Sequence, residues 1–273
     1  MATGYYYAIT SLPDLTLTDK SYDVLTFRKF IAEQLTAGDA RLMQVLFYPY
    51  DIENMVTMIK KLDQPWHPYG NFTWEEMRSM YSLTDSLPEF LQSFVADTRK
   101  MWDRMSPKKL INTATIHFID WSREAPNEFL RKWLLFDQNL KNLLIWLNCH
   151  KWGLDPEEEV LGNHYEAVYL RGTKAGEIDL KSWDFQFREA LRHYNNPDIA
   201  LREQIINEMR WHYLDEILEP YPFGIERLLG HAIRLLLISR NIADTEDRGN
   251  KRLNDLMSGI MAGYHIPETF DRR

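Results

Sequence analysis

Apolar residues recur at spacings of three and four along most of this chain, and the pattern is strongest between Pro126 and Gly153. There Phe129, Trp133, Phe136, Leu140, Leu143 and Leu147 form one stripe, the mark of an amphipathic helix. Around Leu143–Leu147 the apolar residues spread over nearly the whole circumference, which predicts burial on several sides. Pro126 suits the first turn, where a missing N–H costs nothing. Gly153 suits the left-handed residue just past the end. A helix of roughly 27 residues at ~1.5 Å each spans ~40 Å, long enough to be the spine of a lobe.

The punctuation elsewhere is helical too. Tyr5–Ile9 fits either strand or helix, and Ser11–Asp19, with Pro13, reads as a loop. Helices are predicted from Ser21 to near Gly38, from Asp39 to Tyr48 and, beyond Pro49, from Asp51 to Leu62. Gln64–Asn71 is a loop. Thr73 with Glu76, and Ser86 with Glu89, read as capping boxes, the second opening a helix to about Met105. Further helices are predicted over Pro107–Ser122, from Asp155-Pro156 to about Gly162, over Ser182–Tyr194, from Asn196-Pro197 to Glu219, and over Phe223–Ala243 and Thr245–Ala262. Gly172–Gly176 is a turn. The fold class is therefore all-α, one helical chain over 1–273 with about a dozen helices and no clear strand.

Two helices share a pattern. Asp51–Ile59 and Asn139–Leu147 both read polar, apolar, charged, Asn, then two apolar pairs around a free position. His231–Arg240 follows loosely, with Leu235 where the others have Asn54 and Asn142. The spacings are 88 and 93, against 91 for a third of the chain. Buried helices share such patterns by chance, but a true repeat predicts three similar lobes, near 1–85, 86–180 and 181–273.

Composition narrows the function classes. A net charge of −8 and the lack of a basic run interleaved with aromatics argue against a nucleic-acid partner. Cys149 is the single cysteine, so a disulfide framework is excluded and a reducing compartment is expected. The opening MATGYYYAIT lacks the basic and apolar regions of a secretion signal. No apolar stretch reaches the ~18 residues needed to cross a membrane.

Candidate chemistry is sparse. Glu189 and His193 are four apart, as are Glu208 and His212, with Asp215 and Glu216 a turn later. A di-iron bundle needs Glu-x-x-His instead, and four-apart pairs are common surface partners. Phosphate-cradling glycine motifs, a zinc-protease helix and a serine elbow are absent from the sequence. Cys149 beside His150 reads as a buried structural thiol. Asn54 and Asn142 interrupt apolar helices, and a buried Asn must be hydrogen-bonded, so they are structural polar candidates. Tyr5, Tyr6 and Tyr7 form the densest aromatic cluster, suited to the core or to a partner face. Arg234 and Arg240 flank a leucine run and are further contact candidates, although arginines often snorkel over a core face. No catalytic, cofactor or metal residue is assigned.

Four segments carry a resemblance: YYYAITSLPDLTLTD from Tyr5, FYPYDIENMVTMIKKLDQPWHPYGNFT from Phe47, NEFLRKWLLFDQNLKNLLIWLNCHKWGL from Asn127 and EMRWHYLDEILEPYPFGIERLLGHAIRLLLISR from Glu208. Over most of its length the chain resembles an uncharacterised bacterial family encoded in V/A-type ATPase operons. More loosely, its helices resemble the C subunit of those ATPases, called d in eukaryotes, although this chain is shorter. The resemblance implies an all-helical body of three similar lobes around a pseudo-threefold axis. It implies a non-catalytic socket between the central stalk and the membrane rotor ring, without a cofactor and without membrane insertion, in the cytoplasm and peripheral to the inner membrane. It assigns no role to any single residue. The alternatives are a helical metal- or small-molecule-binding enzyme using Glu208 and His212, and a helical scaffold unrelated to ATPases.

Overall fold

The computed structural model describes residues 4–19, 21–174, 177–178, 185–196 and 198–240. Among them are thirteen α-helices and no strand. These are α1 (Tyr6–Thr10), α2 (Val24–Ala32), α3 (Ala37–Val45), α4 (Tyr48–Lys60), α5 (Trp74–Ser82), α6 (Glu89–Thr98), α7 (Pro107–Ser122), α8 (Glu128–Trp152), α9 (Pro156–Glu159), α10 (Tyr165–Gly172), α11 (Phe185–His193), α12 (Ile199–Leu218) and α13 (225–240). The all-α class read from the apolar periodicity is the class of the structure.

Local chemistry sets the boundaries. Thr73 and Glu76 close a capping box, each side chain satisfying the other's backbone N–H. Gly153 ends α8 in the left-handed region at φ 68. Asn127 caps α8 by accepting the Leu130 N–H at 3.0 Å, so Pro126 lies just outside the helix and not in its first turn. The helix expected from Ser21 to near Gly38 ends at Ala32, and the one expected from Asp39 starts two residues earlier. Thr36 takes the Asp39 N–H at 3.2 Å and starts α3, which places Gly38 inside that helix. Pro49 sits in the first turn of α4 and does not break it. Ser86 and Glu89 do not form a box. The Ser86 hydroxyl donates to the Leu83 carbonyl at 2.7 Å within a 3₁₀ turn, Thr84–Ser86, and Pro88 precedes α6 instead. Beyond Thr98 the chain tightens into a second 3₁₀ turn, Arg99–Arg104, where the Trp102 indole donates to the Thr98 hydroxyl at 2.7 Å. The helix α10 was not legible in the sequence. The helix expected over Thr245–Ala262 lies outside the described residues.

The same packing arrangement occurs twice. Helix α4 packs on α5 and α7, while α8 packs on α10 and α12. Helix α7 also joins the two groups by packing on α8. The N-terminal segment meets the start of α13. The Tyr5 N–H donates to the Phe223 carbonyl at 2.9 Å, and the Phe27 and His231 rings lie 4.9 Å apart. The core is aromatic and aliphatic, with Phe47, Phe90, Phe94, Phe129 and Trp146 fully enclosed. Dense packing of this kind gives low compressibility, the mechanical property a rigid body needs.

Candidate functional site

A cleft of about 230 Å³ lies where α4, α8 and α13 converge, with the end of α7 as a fourth wall. Leu46, Pro49, Tyr50 and Glu53 line it from the α3–α4 turn and α4. Leu134, Asp137, Gln138 and Lys141 line it from α8, each 88 positions after its counterpart. Ile233, Leu236, Leu237 and Arg240 line it from α13, each a further 99 positions on. Leu235, the position aligned with Asn54 and Asn142 at a spacing of 93, is buried in the core.

These positions sort by chemistry along the helices. Leu46, Leu134 and Ile233 are apolar, and Glu53, Lys141 and Arg240 are charged two turns later. On α8 and α13 seven residues of helix separate the two sets by ~10 Å. Asp137 lies between them. Burial opposes its ionisation, but Lys141, Arg210 and Arg240 together hold its carboxyl well below the usual carboxylate range. Lys141 Nζ is 2.7 Å and Arg210 Nε 2.8 Å from its two oxygens. Burial pushes the Glu53 carboxyl up, against the opposing charges of Arg240 and Lys141. Burial likewise raises the Tyr50 hydroxyl.

The two asparagines shape the loops behind the cleft. Asn54 is buried; its amide N–H donates to the His67 carbonyl at 3.1 Å and its oxygen accepts the His67 N–H at 2.7 Å. Asn142 is buried and does the same to Leu161, at 2.8 and 3.1 Å. Three residues earlier on each helix, Asp51 accepts from the Asn71 backbone and amide at 2.7 and 2.6 Å, while Asn139 pairs with His164 at 2.7 Å. Neither asparagine lines the cleft. Each fixes the loop that leads to the next helix, α5 or α10.

The remaining candidates scatter. Tyr5 is a core residue, 6% exposed, and its hydroxyl donates to Asp39 at 2.5 Å. Tyr6 and Tyr7 are exposed, Tyr6 beside Phe223 and Tyr7 edge-on to Tyr6. Arg234 is committed to Asp215 and lies over the Trp211 ring at 5.1 Å, away from the cleft. Arg240 is exposed and lines the cleft. Cys149 is buried, and burial pushes its thiol up, away from the thiolate a nucleophile needs. Glu189 pairs with Arg192 and His193, and Glu208 accepts from Gln204, both as surface pairs within one helix. Among the described residues no cluster of His, Cys, Asp or Glu has a geometry that could hold a metal ion. None of their helices is long and apolar enough to cross a membrane.

A family model described as a protein of unknown function, DUF2764, matches residues 1–264. This chain belongs to the DUF2764 family. No curated protein and no solved structure matches it. The DUF2764 match spans all thirteen described helices, so cleft and clamped loops fall within one family unit.

Proposed function

We propose that this chain is a non-catalytic subunit of a bacterial V/A-type ATPase that couples the central stalk to the membrane rotor ring. The observation that carries the reading is the cleft. Three helices present residues at matching positions to one opening, an apolar set at one level and a charged set at the other. That is the construction expected of three lobes around a pseudo-threefold axis, and it agrees with the resemblance to the C subunit.

In this reading the stalk tip enters the cleft and seats an apolar end against Leu46, Leu134 and Ile233. The charged level, Glu53, Lys141 and Arg240, fixes its orientation, since complementary charge contributes specificity more than affinity. Torque passes through the packed cores of α4 and α8, and no cofactor takes part. The protein would sit in the cytoplasm, peripheral to the inner membrane through the complex. The test is a pull-down with the purified stalk subunits, with proton or sodium pumping measured in vesicles that lack this chain. Stalk binding together with lost pumping and retained ATP hydrolysis supports the role. Full pumping without the chain rejects it. Folded protein that fails to bind the stalk at low salt favours the unrelated helical scaffold.

A further inference from the structure

The cleft carries the opposite charge to the chain as a whole. Arg123, Arg131, Lys141 and Arg240 line it against two carboxylates, Glu53 and Asp137, in a protein whose net charge is −8. Asp137 is already engaged within the fold, since Lys141 Nζ and Arg210 Nε hold its two oxygens. Among the described residues Arg123, Arg131 and Arg240 have no carboxylate within ion-pair distance. Three guanidinium groups therefore line an opening in which Glu53 is the one carboxylate outside the Asp137 pairs.

These cations stand at two ends of the cleft. Arg131 donates to the Ala125 carbonyl in the turn between α7 and α8, two residues past Arg123. Lys141 and Arg240 stand at the other end, both acting on the Asp137 carboxyl. On α8 the ten residues from Arg131 to Lys141 span ~15 Å. Leu134 lies between them and also lines the cleft. A guanidinium without a carboxylate of its own takes one from a partner through charge-assisted hydrogen bonds. A basic segment would instead meet like charge at both ends, which complementary interfaces avoid.

We infer that the occupant of the cleft is an acidic stretch of the stalk, apolar at its centre, whose carboxylates reach Arg123 and Arg131 at one end and Arg240 at the other. The inference rests on the coupling reading above and adds the chemistry of the stalk partner. Three turns of helix place side chains ~15 Å apart, so one amphipathic helix laid along the cleft satisfies both ends.

The probe is the purified stalk of the same ATPase, titrated with the full-length chain by isothermal calorimetry. Arg123→Glu and Arg240→Gln should each weaken binding about tenfold. Glu53→Gln should bind as tightly as wild type or up to about threefold more tightly, because it removes a carboxylate that repels an acidic guest. This contrast in sign separates charge recognition from damage to the cleft. All three residues are exposed, so thermal melting by circular dichroism should match the wild type. Wild-type affinity in either arginine variant overturns the inference, as does weaker binding by Glu53→Gln, and both leave the coupling reading standing because the stalk still binds. The remaining candidate guest is a second copy of this acidic chain. Self-association in sedimentation equilibrium that Arg123→Glu abolishes while stalk binding is unaffected also overturns the inference. Wild-type protein that does not bind the stalk rejects both readings.

Discussion

Asn54 and Asn142, 88 residues apart, each close a two-bond ring with a single residue's backbone, His67 in one case and Leu161 in the other. A side-chain amide that meets a backbone N–H and its C=O together satisfies two polar groups that burial would leave costly. Replacing either asparagine by leucine removes both bonds and strands the backbone partners. We expect a loss of about 1–3 kcal/mol for each variant. Urea denaturation measures it, and an unchanged midpoint for both would show that the clamps carry no stability.

Each clamped loop also brings a glycine against a buried polar side chain, Asn54 in the first and His164 in the second. A Cβ on Gly70 would lie 2.5 Å from Asn54 Nδ2 and 2.9 Å from Asp51 Oδ1. On Gly162 it would lie 2.7 Å from His164 Nδ1, at a φ of +96. Gly153, at φ +68, has nothing within 4 Å. Gly153→Ala should therefore cost only the backbone conformation, about 1 kcal/mol. Gly70→Ala and Gly162→Ala should cost more, about 2–3 kcal/mol, because Asn54 or His164 must shift as well. Equal melting temperatures for the three variants would contradict this ordering.

Burial pushes the Asp51 carboxyl up to about 6 from 3.8, although Asn71, Phe72 and the Arg28 charge oppose the rise. A raised folded value means that protonation favours the fold. This contribution is fully present below the unfolded value and is lost as pH rises through about 6. Half-buried His67 and buried His164 and His231 are lowered by burial and pull the other way as pH falls below 6.5. The readout is therefore a difference. Relative to Asp51→Asn, the wild type should gain stability as pH falls from about 7 to about 5. Parallel stability curves for the two proteins would rule this out.

Asp137 behaves in the opposite sense. Its carboxyl is held low by Lys141, Arg210 and Arg240 despite burial, so its contribution is present at neutral pH and lost in acid as pH falls through the folded value. Asp137→Leu leaves the Arg210 guanidinium, only 6% exposed, with Asn207 at 3.3 Å as its remaining side-chain acceptor. Removing one partner of a buried pair costs about 3–5 kcal/mol. Guanidinium denaturation at neutral pH measures the loss, and a variant as stable as wild type would show that the pair contributes no net stability.

The sequence made the helices legible because nearly every one buries an apolar stripe against the core. Thr73–Glu76, Pro107 and Gly153 marked boundaries through local chemistry that tertiary packing did not override. Helix α10 escaped because it is only eight residues long and its N-cap, His164, makes no side-chain cap, turning its ring inward to Asn139. Ala232, Ile233, Leu235, Leu237 and Ile238 are all buried, so α13 is apolar around most of its circumference and its apolar pattern matches α4 and α8 in more than one register. The cleft itself was not legible, since it depends on which faces of distant helices converge.

The coupling reading makes the cleft the stalk contact. Leu134 lines the apolar level of the cleft and is part-exposed, so Leu134→Asp places a charge there without opening the core. An unpaired carboxylate against an apolar stalk tip should weaken stalk binding by about tenfold or more, the order expected for burying an unsatisfied charge. Salt should weaken the ring contact more than the stalk contact, since paired surface charges are screened within ~10 Å at 0.1 M. In the assembled ATPase the variant should lower ion pumping while ATP hydrolysis continues. Surface plasmon resonance with immobilised stalk measures the loss of binding. Leu134→Asp protein that melts normally and still binds the stalk as tightly as wild type would place the stalk contact outside the cleft.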